Sequence, residues 1–104
     1  MIFKFFHKRG TQRTDSRRDA LDQIARNYLT LMKYTSKDNR KPISLEIDYP
    51  NIVTDVGTFD FLSLRDLPAN LQELHYEIDA LTSDHGFEHE EIKEALLETI
   101  NQKW

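Results

Sequence analysis

The chain has 104 residues, enough for one modest hydrophobic core, and no cysteine, which excludes disulfides, thiolate zinc sites and cysteine nucleophiles. Charged residues make up 31% and the hydrophobic set 38%, a balance that suits one folded domain with a highly charged surface. The net charge of −4 conceals an asymmetry: residues 1–18 hold six basic side chains against Asp15 alone, while the remainder holds eight basic against seventeen acidic.

The N-terminal run Ile2-Phe3-Lys4-Phe5-Phe6 is β-prone, and residues 1–15 are expected to form a partly flexible basic arm or an added edge strand, ahead of a single α+β domain over residues 16–104. The cations Lys4, Lys8, Arg9, Arg13, Arg17 and Arg18 give that arm a second reading, contact with phosphates or with anionic lipid headgroups. The run is too short for a membrane span, which needs roughly 20 apolar residues. A soluble chain is expected, and the lack of cysteine is compatible with a cytoplasmic setting.

Ser16 followed by Asp19 approximates a capping box and places a helix start there. Leu21, Ile24, Ala25, Tyr28, Leu29 and Met32 then recur on one helical face, which is expected to pack on a sheet, with the helix ending near Tyr34. The polar run from Thr35 to Pro42 reads as an exposed loop.

The sheet is expected between Ile43 and Leu64. Ile43, Leu45 and Ile47 alternate with polar residues, Pro50-Asn51 supplies turn chemistry, and Ile52-Val53-Thr54 resumes strand-prone residues. A second turn at Asp55-Val56-Gly57-Thr58 leads to the alternation of Phe59-Asp60-Phe61. Two or three antiparallel strands follow, too few to stand in water without helical cover.

Asp66-Leu67-Pro68 starts a second helix, whose buried face is Leu71, Leu74, His75, Ile78 and Leu81. It is expected to stop at Thr82-Ser83-Asp84. Gly86 marks the break before a last helix from about Glu88 to Gln102, buried along Ile92, Leu96 and Ile100. The fold class is therefore α+β: an N-terminal helix, a small antiparallel sheet and two C-terminal helices.

His85-Gly86-Phe87-Glu88-His89 resembles the H-x-x-E-H pattern of inverzincin metallopeptidases, which implies a zinc hydrolase using His85, Glu88 and His89. That chemistry needs both histidines on one continuous helix, and Gly86 argues against it. Gly86-Phe87, Ile92 and Ala95-Leu96 also resemble the Gly-Phe loop and second helix of ubiquitin-associated domains, implying a three-helix bundle whose loop contacts ubiquitin. A plain helix–Gly–helix corner produces the same pattern and is the reading kept. His75 sits on an apolar face, where a hydrogen-bonded core histidine is expected. No phosphate loop, nucleophile elbow or paired-carboxylate motif is present, so no catalytic residue, metal or cofactor is assigned and the chain is read as non-enzymatic.

What remains is acidity. Glu73, Glu77, Asp84, Glu88, Glu90, Glu91, Glu94 and Glu98 crowd the last third, and Glu91, Glu94 and Glu98 fall at i, i+3 and i+7 of one helix. Such a surface offers a positively charged, nucleic-acid-binding protein some of what DNA phosphates offer. In size, acidity and layout the chain is similar to small phage or mobile-element inhibitors such as anti-CRISPR proteins, a likeness that implies a DNA-mimicking inhibitor. The competing expectation is an adaptor tethered to a membrane surface or nucleic acid through residues 1–18.

Overall fold

A computed structural model describes residues 2–36, 40–48, 51–60 and 67–104, with side chains from Ser16 onward. Residues Ile2–Thr35 form a single helix, α1. The stretch expected to be a loose arm or edge strand is therefore the opening of that helix, and Ser16 lies in its interior rather than at its start. Gly10 lies inside this helix and costs about 1 kcal/mol relative to alanine, too little to interrupt a continuous hydrogen-bond ladder.

The expected face of α1 is buried at Ile24, Ala25, Tyr28, Leu29 and Met32, with Leu21 partly covered. Ala20, Asn27 and Leu31 are buried as well, which widens the stripe beyond one side of the helix. The reason is that α1 is gripped twice, by α2 (Ala69–His85) and by α3 (His89–Lys103). The helix does not lie principally on the sheet, as the sequence suggested; among the described residues the sheet meets the helices chiefly where β1 touches α3.

That sheet has three strands, β1 (Leu45–Asp48), β2 (Asn51–Thr54) and β3 (Gly57–Asp60), in the order β1-β2-β3 with both pairings antiparallel. Ile47, Ile52 and Phe59 align across the strands, and with Leu45 they form the face that joins the core. Glu46, Val53 and Thr58 align on the opposite, exposed face. Ile43 does not extend the apolar face: it precedes β1 and is 76% exposed, while Pro42, expected in an open loop, is fully buried.

A carboxylate fixes the entry to β1. Asp55 Oδ1 accepts the N–H groups of Ile43 at 2.9 Å and Ser44 at 3.1 Å, which ties the β2–β3 turn to the residues before β1. The bonds from Ser44 and then Ile43 hold the Asp55 carboxyl below its ordinary range. Gly57, at a φ of 136°, adopts a backbone conformation that a side chain resists.

In α2 the buried residues are Leu71, His75 and Ile78, with Leu74 and Leu81 partly covered. The helix continues through Thr82-Ser83-Asp84 and ends at His85, one residue past that polar cluster. Its end is set instead by Gly86 in the left-handed conformation, φ 65°, whose N–H bonds the carbonyl of Thr82 at 2.9 Å. Helix α3 begins with a capping box: the Glu88 side chain accepts the N–H of Glu91, and Glu91 Oε1 accepts the N–H of Glu88 at 3.3 Å. Ile92, Leu96, Thr99 and Ile100 form its buried stripe.

Candidate functional site

No lysine or arginine occurs between Arg65 and Lys93, so α2 carries Glu73, Glu77, Asp79 and Asp84 without a cation of its own. Burial of Leu71, His75 and Ile78 against the core turns Glu73, Tyr76, Glu77, Ala80 and Asp84 outward on the other side of the helix. Tyr76 is 67% exposed at the centre of this ridge, an aromatic ring among carboxylates. Among the described residues, Glu73, Glu77 and Asp84 form no ion pair. Asp79 lies at the edge of the ridge with Oδ2 3.5 Å from Nε2 of the buried His75, as expected of a core histidine with a polar partner.

Helix α3 is different. Glu91 receives the guanidinium of Arg17 in a two-pronged contact of 3.0 and 3.4 Å. The Arg17 bond, with the Glu88 N–H, holds the Glu91 carboxyl below its ordinary range, and the same contact raises Arg17. Lys93 Nζ stands 2.7 Å from Glu46 Oε1 on β1, and Glu90 and Glu94 add to the field that raises its pKa after the dominant Glu46 bond. Glu98 accepts a hydrogen bond from Gln102 at 3.4 Å and lines a groove together with Arg18. The expected ridge of Glu91, Glu94 and Glu98 is thus compensated from within the protein at its first member.

Arg17 also leaves the list of arm cations. Its guanidinium carbon sits 4.4 Å from the centroid of Phe87, whose other ring neighbour is His85, stacked at 5.5 Å. The side chain therefore joins α1 to the α2–α3 corner. Lys4, Lys8, Arg9 and Arg13 belong to the helical opening of α1, and their side chains lie outside the described residues.

No family model, curated protein or solved structure matches the chain.

The remaining motifs resolve on geometry. His85 is the last residue of α2 and His89 the first of α3, with the Gly86 corner between them and the Glu88 carboxylate committed to the cap. Among the described residues no group of three histidine, aspartate or glutamate side chains is placed to hold a metal. Phe87 is buried rather than offered on a loop, and the body contains a sheet, so the likeness to ubiquitin-associated domains ends at the helix–Gly–helix corner. Among the described residues no helix is long and apolar enough to cross a membrane.

Sequence reading missed Tyr76 as a member of the exposed surface. The signal was present: Tyr76 falls between the Glu73 and Glu77 positions on the polar side of α2, where an aromatic residue has no core to fill.

Proposed function

We propose that the protein is a non-enzymatic binding module whose acidic α2 surface engages a basic partner protein. The observation that carries this reading is the cation-free outer ridge of α2, where Glu73, Glu77 and Asp84 surround an exposed Tyr76. Carboxylates in that arrangement accelerate encounter with a positive surface, and a solvent-facing tyrosine supplies the contact area typical of an interface centre. A partner that binds nucleic acid is the natural target, since its channel already accepts regularly spaced negative charge; inhibition by occupying such a channel is the specific form proposed. The protein itself carries no affinity for DNA in this reading.

The test is a captured basic partner measured against native protein and against Glu73→Lys combined with Glu77→Lys. Affinity falls at least tenfold on charge reversal and falls with added salt, while DNA retardation shows no shift. Unchanged affinity after charge reversal ends the proposal. Removal of residues 1–10 leaves partner binding intact; if that truncation abolishes binding to vesicles or DNA instead, the tethered-adaptor reading through the basic opening of α1 takes its place.

A further inference from the structure

A cleft beside the acidic ridge adds what charge alone lacks. Its floor is Tyr28 of α1, Ile47 of β1, Ile78 of α2 and Ile92 of α3, so four elements meet beneath it. Its volume is about 450 Å³, within the range of roughly 300–1,000 Å³ found for ligand clefts. Asp79, Ser83 and His89 stand around the mouth.

Two features say what the cleft suits. The first is charge. Helix α2 brings Asp79 and Asp84 to this end of the molecule and no cation, the N-cap and first turn of α3 bring Glu88 and Glu90, and Lys93 is engaged with Glu46 at 2.7 Å. An anionic headgroup, a nucleic acid or a second acidic copy of this chain meets repulsion there. The second is continuity. Tyr76, Asp79 and Ser83 fall at i, i+3 and i+7 along α2, so one stripe leads from the exposed ring to the rim of the cleft.

We propose that the cleft seats one bulky apolar side chain, aromatic or branched aliphatic, presented by a lysine- and arginine-rich segment of the partner protein. The inference rests on the function proposed above and deepens it: the carboxylates draw the segment in, and the apolar floor holds it. Burial of an aromatic side chain slows dissociation, whereas exposed charge pairs chiefly speed association and are screened by salt.

Two synthetic peptides of equal length and equal positive charge test this, one with a central phenylalanine and one with glycine in its place. Titrated against the full chain by fluorescence anisotropy, the phenylalanine peptide binds about tenfold tighter or better, and its advantage survives added salt. Ser83→Trp, at an exposed rim position, blocks the cleft and erases that advantage while leaving the glycine peptide unaffected; Ser83→Ala retains it. Circular dichroism verifies that both variants fold. Glu73→Lys with Glu77→Lys weakens both peptides and keeps their ratio. Equal affinities for the native chain, or a phenylalanine advantage that persists in Ser83→Trp, overturn the anchor. Affinities unmoved by charge reversal overturn the acidic reading while a persisting phenylalanine advantage upholds the cleft, and failure of both peptides to bind overturns both.

Discussion

Helices α2 and α3 carry four carboxylates each and pack on the same helix, yet they present different electrostatics. On α3, Glu91 is held by Arg17 and the field of Glu90 and Glu94 falls on Lys93, which in turn reaches Glu46. On α2, Glu73, Glu77 and Asp84 have no such answer among the described residues. A run of carboxylates in a sequence is therefore no measure of negative surface. What matters is which partners lie within reach: α1 brings Arg17 to Glu91, and the sheet brings Glu46 to the lysine that α3 itself carries.

The shared foundation of both helices is the first place to break this comparison. Ile24 is fully buried in α1, and Ile24→Ala should cost about 2–5 kcal/mol in chemical denaturation, with α2 and α3 lost in one transition. Separate transitions would show that the two helices rest on α1 independently. A sharper contrast comes from charge reversal on each helix in turn. Glu73→Lys with Glu77→Lys should reduce affinity for a basic partner at least tenfold without lowering the melting temperature; Glu91→Lys, which sets a cation against Arg17, should lower the melting temperature and affect affinity less. The reverse pattern would move the binding face to α3.

Gly86 joins the two helices, and an added Cβ there would touch nothing within 4 Å, so Gly86→Ala tests backbone conformation alone. The expected loss is about 1 kcal/mol, read from denaturant midpoints. The smallest effect is on pH. Asp55 and Glu91 both have carboxyl groups held below their ordinary values of 3.8 and 4.5, so the stability they contribute is complete above those values and disappears as pH falls through the lower, folded-state values. Melting curves below pH 4.5 should show a shallower acid decline in Glu91→Gln and in Asp55→Asn than in the native chain, at the cost of lower stability at neutral pH.

Local pattern carried the architecture well: the period of two at Leu45 and Ile47, the apolar stripe at Ile24 and Tyr28, and the Gly86 punctuation each correspond to an observed element. These signals are set by neighbours in the chain. What misled was composition without partners. Phenylalanines at the N-terminus suggested a strand, but β-propensity reflects a fit to a pleated, half-buried surface, and the segment belongs to a helix instead. Ile43 looked like a core residue because its spacing from Leu45 is right, yet Asp55 captures its N–H and the strand begins two residues later. In the candidate site, Glu73, Glu77 and Asp84 were legible as an exposed acidic set, whereas the removal of Glu91 depends on Arg17, which lies 74 positions away in the chain. No local rule links those two residues.

The placement of Arg17 has a consequence for any mutational survey of this molecule. One guanidinium both covers the Phe87 ring and satisfies the Glu91 carboxylate, so trimming it would uncover an aromatic surface and release an anion at the same moment. Such a variant would gain adhesiveness towards cationic proteins while losing rigidity, and a screen scored only on capture would mistake a structural rivet for a regulator of recognition.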